Sequence, residues 1–409
     1  MSPSKHKLAA VGLFLAIVVS IGGGVMIYRA MAGKPFTVPQ PLPYSPATPV
    51  AADVPIPDDF SMFFPLQTVV VLPKYSPLEP ERHAAACATS RSLPEGVVVV
   101  TDPPDNYPAA TALFRKALAQ AGKGELRVEP GCSLSVLAVG PLLIPFAHVE
   151  LRHLTCHGKR IEMEIAYTAK PPEKERKDEE QHWRPLVVVP LLLRAGPYYL
   201  EATWRAVDKW RDGKPLPVEP LVQTCSFVAP EGMAESPALR VHGVDFQALV
   251  DGRCPVPEAG HRRSLHFGLR VTNRGDKELL FEPSGVALFA DSLRIGDGSL
   301  LRYRGGSDHT IFAKPVRVPA GRSHVFVVRG ELRWFKDSGL QDVGWYKGGT
   351  GLALSGVVGT GDRFWYYDGL AVGKYRLCFD YHVLESSLRP EPVWTGRVRT
   401  QDVEFEIVL

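Results

Sequence analysis

The chain has 409 residues, of which 45% are hydrophobic and 22% charged, and a formal net charge of +3. That length exceeds one ordinary core and predicts two or three domains, while the composition excludes a disordered chain. So small a charge, with no basic run, also excludes a nucleic-acid partner.

From Leu8 to Tyr28 there are 21 residues without a formal charge. At ~1.5 Å per residue such a helix spans the ~30 Å hydrocarbon layer of a bilayer. Residues 8–28 are therefore expected to form a transmembrane helix, a signal anchor that leaves residues 1–7, with Lys5 and Lys7, in the cytoplasm. The bulk of the chain is then extracytoplasmic. Ala30-Met31-Ala32 supports the alternative of a secreted protein cleaved near Ala32, although an apolar run of this length exceeds a usual signal peptide. Residues 29–59 hold eight prolines between Gly33 and Asp58 and read as an extended stalk.

Residues 60–229 read as a mostly-β α+β domain with one helix. "LQTVVVL" and "GVVVV" are β-branched runs of the buried-strand type. "YPAATALFRKALAQAGKG" is the helix: Pro108 fits the first turn, Leu113, Ala117 and Leu118 share a face, and Gly122 supplies the stop. "HVELRHL" turns at His157-Gly158 into "RIEMEIAYTA", a second alternating strand. The segment "PEGMAESP", residues 230–237, is polar, flanked by prolines and reads as a linker.

From 238 to 409 only strands are predicted, in an antiparallel β-sandwich with one solvated face. "SLHFGLRVTNRGDKELLF" places Leu265, Phe267, Leu269 and Val271 on the core side, and His266, Arg270 and Thr272 on the other. In "YYDGLAVGKYRLCFDYHVL", Tyr375, Leu377, Phe379 and Tyr381 face inward, while Cys378 and Asp380 face away. "VTNRGDKELLF", "VPAGRSHVF" and "LAVGKYRLCFDY" resemble the strand–turn–strand phrases of bacterial extracytoplasmic immunoglobulin-like domains. More distantly they resemble the sandwich of the bacterial intracellular proteinase inhibitor family. The likeness covers residues 238–409 and implies an immunoglobulin-like sandwich, with Tyr375 placed as its corner tyrosine. The segment is longer than the ~100 residues of a simple domain of that type, and the excess falls between Trp334 and Phe364. Nothing in 60–229 resembles a known family.

Six cysteines outside the cytoplasm invite disulfides, and Cys254 with Cys378, both in the second segment, form the candidate pair. The densest group of metal-ligand types is His148, His153, Cys156 and His157. Strand alternation separates Cys156 from His153 and His157, so these three converge only if the chain bends at Gly158. The plain reading is exposed strand and turn histidines, with no metal and no cofactor. Cys132 with one of these histidines is the thiol-nucleophile alternative. Trp345, Trp365, Tyr366, Tyr367 and Trp394 could bind a ligand if exposed, or close the ends of the sandwich if buried.

No catalytic signature stands out. The expected function is a membrane-anchored extracytoplasmic protein with a non-catalytic binding or scaffolding role toward a protein or cell-envelope partner. The alternatives are a carbohydrate- or cell-wall-binding module using those aromatics, a hydrolase-like enzyme in the first domain, and a protease inhibitor.

Overall fold

The computed structural model describes residues 43–51, 59–63, 69–71, 90–103, 107–122, 126–128, 133–143, 147–168, 183–208, 214–230, 232–282, 289–295, 298–301, 304–305, 315–337, 351–358, 363–383 and 393–409. The expected transmembrane helix at 8–28 lies outside them, and no described helix is long and apolar enough to cross a membrane.

The described structure is mainly β. The β-branched runs form a small antiparallel sheet in the order Val69–Val71, Leu186–Leu191, Leu134–Val139, Gly96–Thr101. Side chains of the last three strands are buried on both faces, which is why they read as continuous apolar runs rather than alternating ones. The helix Tyr107–Ala121 covers this sheet with Ala110, Phe114 and Ala117, and ends where Gly122 donates its N–H to Leu118 O at 3.0 Å. Gly96 leaves room for it: a Cβ there would stand 2.9 Å from Leu118 Cδ1.

The large sheet has the order Thr48–Pro49, Leu239–Val241, Val244–Asp251, Arg262–Asn273, Ser323–Trp334, Asp59–Phe63, Val149–His157, Arg160–Thr168, Gly196–Val207, Leu221–Ala229, Leu126–Arg127. Asp59–Phe63 joins its two halves, parallel to Ser323–Trp334 on one side and antiparallel to Val149–His157 on the other. One core, which includes Trp204, Phe227 and Val136, lies between this sheet and the small one. A second core lies between the large sheet and another, ordered Arg253–Pro255, Val403–Val408, Gly373–Val383, Phe289–Ile295. There Phe246 and Phe326 of the large sheet meet Tyr381 at ring-centroid distances of 5.8 and 6.4 Å. Near the turn of the facing sheet, the Tyr375 hydroxyl donates to Ala371 O and accepts from Ala371 N, both at 2.8 Å.

Five expectations need correction. Residues 230–237 are not a linker: Met233–Glu235 pairs with Val244–Asp251, and Ser236 is buried. Tyr44–Leu409 is one compact unit, not two domains. Ser323–Trp334 shows the physical reason, because Val325 and Val327 enter the first core while Phe326 and Val328 enter the second. The face read as solvated is buried too.

The stalk is also shorter than expected. Thr48–Pro49 adds an edge strand to Leu239–Val241, a sheet position that tolerates proline. Tyr44 and Ser45 bind Arg397, whose guanidinium lies 4.2 Å from the Tyr44 ring centroid.

Finally, Cys254 and Cys378 are not joined by a disulfide. Cys254 points into the second core, while Cys378 sits on the opposite face of its strand and accepts from Arg399 Nε at 3.2 Å. Val403–Val408 runs between their strands, which puts them at least two strand spacings of ~4.8 Å apart, and the register offsets Cys378 further along its strand, beyond the ~7 Å Cα limit for a bridge.

Candidate functional site

Where the two halves of the large sheet meet, strand Arg262–Asn273 turns Ser264, His266, Gly268, Arg270 and Thr272 toward the first segment. The four polar members of that row are all buried. Gly268 permits the approach, since a Cβ there would lie 2.8 Å from Leu192 Cδ1. Buried polar groups need partners, and each of these residues has at least one, although the Arg270 Nε atom and, on the next strand, His324 Nε2 make no hydrogen bond in the described structure. His266 Nδ1 lies 3.3 Å from Leu191 O, and its amide donates to Asp251 Oδ2 at 2.6 Å. Thr272 bonds Ser323 at 2.8 Å, Arg329 donates to Ser264, and Arg263 reaches Asp102 at 3.0 Å. On the next strand His324 bonds Ser61 at 2.6 Å.

Burial dominates the electrostatics of this layer. It pushes His266 down to about 3, aided by the Arg329 charge and opposed by the Leu191 carbonyl. Burial alone brings His324 down to about 3. Asp251 is pushed well above the usual carboxylate range by burial, against the His266 amide and with the Asp102 charge adding to it. In a low-dielectric junction burial disfavours the charged form of each of these groups.

At one end of this layer a pocket of about 230 Å³ opens, lined by Phe60, Cys156, Lys159, Tyr198, Arg270 and their neighbours Arg194 and Met233. Arg270, only 2% exposed, carries its guanidinium 5.3 Å from the Phe60 ring centroid and donates to Glu235 and Gln247, both at 3.1 Å. Arg194 grips Glu235 through two bonds of 2.7 and 3.1 Å. Burial opposes ionisation of Glu235, but the Arg194 bond and the Arg270 and Arg194 charges prevail and hold its pKa below the usual value. Lys159, at the turn after Gly158, sets its ammonium 4.4 Å from the Tyr198 ring centroid and 3.4 Å from the hydroxyl.

Of the metal candidates, the structure places Cys156 inward, with its thiol 3.4 Å from Gly158 O, and His153 and His157 on the exposed face. His157 lies 3.8 Å from Asp59. Among the described residues no three His, Cys, Asp or Glu side chains are placed to share a metal ion.

Of the aromatic candidates, Tyr367 and Trp394 are core residues, 0% and 5% exposed, with the Trp394 ring tilted against Phe246 at a centroid distance of 5.0 Å. They are not available as a binding platform, because both fill the second core. Trp365 and Tyr366 lie in strand Arg363–Leu370, while Trp345 and Cys132 lie outside the described residues.

Sequence reasoning missed Arg194, Glu235 and Arg270 as a group. Its one available signal was Gly268 in mid-strand, which marks a close approach of another element. No family model, curated protein or solved structure matches the chain.

Proposed function

We propose that this protein is a membrane-anchored, extracytoplasmic binding or scaffolding protein without catalytic activity. In this reading residues 8–28 hold it to the bilayer, and its C-terminal sandwich is of the immunoglobulin-like kind. The corner bond from Tyr375 to Ala371 supports that likeness.

The observation that carries the functional reading is where the perturbed groups sit. Strongly shifted ionisable groups mark catalytic sites when they line a cleft, and structural networks when they are consumed internally. Asp251, His266 and His324 are buried and committed to bonds that join strands. Chemical crosslinking of the intact protein in its native membrane, with mass spectrometry of the adducts, tests the proposal. The expected result is a carbonate-resistant membrane protein joined to a defined envelope partner. Extraction of the chain by carbonate, or a soluble cytoplasmic partner, would overturn it.

A further inference from the structure

We propose that the pocket between Lys159, Arg194 and Arg270 binds a small organic anion. The carboxylate would lie against the three cations, and its apolar part on Phe60, Tyr198 and Met233. This goes beyond the anchored-scaffold reading and does not depend on it.

The cations come from three separate stretches: the turn after Val149–His157, the segment before Gly196, and the middle of Arg262–Asn273. Like charges brought together by a fold repel, so their convergence calls for a counter-charge. Glu235 is a carboxylate bonded there, to both guanidiniums. Its Oε2 receives Arg194, Arg270 and Gln247, and its Oε1 receives Arg194. The effect is to fix both guanidiniums in place before any ligand arrives, which lowers the ordering cost of binding.

Lys159 is different. Its ammonium rests on the ring and hydroxyl of Tyr198, and no carboxylate among the described residues lies within ion-pair distance of it. Gly196 leaves the space that the ammonium occupies, since a Cβ there would stand 3.1 Å from Nζ. The pocket therefore holds a cation, Lys159, that no described carboxylate pairs, above an apolar floor.

Three features decide the class of ligand. Arg270 is buried against Phe60, where reduced solvent screening strengthens attraction to an anion. The aromatic and thioether walls favour a ligand with a carbon skeleton over a bare inorganic ion. A volume of about 230 Å³ suits a small acid rather than a peptide or oligosaccharide.

Isothermal titration of the full chain in detergent with benzoate, benzamide and inorganic phosphate tests the assignment. Benzoate is expected to bind saturably, benzamide and phosphate not. Lys159→Ala, at an exposed turn, is expected to weaken benzoate at least about tenfold without changing the melting temperature, and Lys159→Glu to abolish it. Absence of saturable benzoate binding, equal binding of benzamide, binding of phosphate in its place, or an unchanged affinity in Lys159→Ala would each overturn it.

Discussion

At the scale of single residues, the junction between the two sequence segments is a layer of polar side chains that have given up their charge or shared it. His266 and His324 are neutral in the fold and acquire protons only on unfolding. Their ordinary value is 6.5, so they oppose unfolding fully above that pH, and their contribution is lost as pH falls from 6.5 toward 3. Each such group contributes about 1.4 kcal/mol per pH unit across that window. Asp251 acts the other way: its raised pKa means that stability declines as pH rises above 3.8. Two histidines outweigh one carboxyl between these limits, and the depressed Glu235 adds to their side in acid. Melting temperature is therefore expected to fall steadily from pH 6.5 to pH 4. His266→Gln, which keeps a donor for Leu191 O, should remove most of that slope, because the one remaining histidine only balances Asp251. Parallel curves for the variant and the natural protein would show that His266 is not a source of the pH dependence.

At the scale of elements, close approach is bought with glycine. Strand Leu134–Val139 ends at Gly140, directly under the indole of Trp204 in strand Gly196–Val207, and a Cβ at Gly140 would stand 2.5 Å from that ring. Trp204 is pinned in turn by Gln223, which also donates to Val139 O at 2.9 Å. Gly140→Ala is expected to cost about 1–3 kcal/mol, the usual penalty of overpacking a rigid core. Urea unfolding would measure it, and the double variant Gly140→Ala, Trp204→Leu should show non-additivity, because the second change removes the ring that the first strikes. Strictly additive losses would mean that the two elements do not meet there.

The individual elements were also the part most legible in the sequence. The helix Tyr107–Ala121, the turn at His157-Gly158 and the inward row Tyr375, Leu377, Phe379 and Tyr381 all follow from periodicity and turn chemistry. Alternation also gives the correct phase for the row His266, Arg270, Thr272, but it predicts water where the structure has a packed layer. Alternation tells which residues share a face, not what covers that face.

At the scale of the whole molecule, one sheet runs through both segments, closed by the short strand Asp59–Phe63. Separating the halves would expose His266, Arg270 and Thr272 and strip Ser323–Trp334 of a hydrogen-bonded neighbour. The stretch from Tyr44 to Leu409, produced on its own, is therefore expected to unfold in one calorimetric transition. Fragments 60–229 and 238–409 made separately should lack a cooperative one. Two sharp transitions, or two well-folded fragments, would restore a two-domain reading.

The division between sequence and tertiary structure follows from the range of the forces. Mainly-β character, the helix and its stop, and the opposite facings of Cys378 and its core neighbours were all settled locally, by side-chain period, proline and glycine. The merging of the two segments, the use of residues 233–235 and 48–49 as strands, and the meeting of Lys159, Arg194 and Arg270 were settled by contacts between residues far apart in the chain. A buried polar face and a solvated one have the same alternating pattern. Only the element that packs against the face, and the partners it supplies, tells them apart.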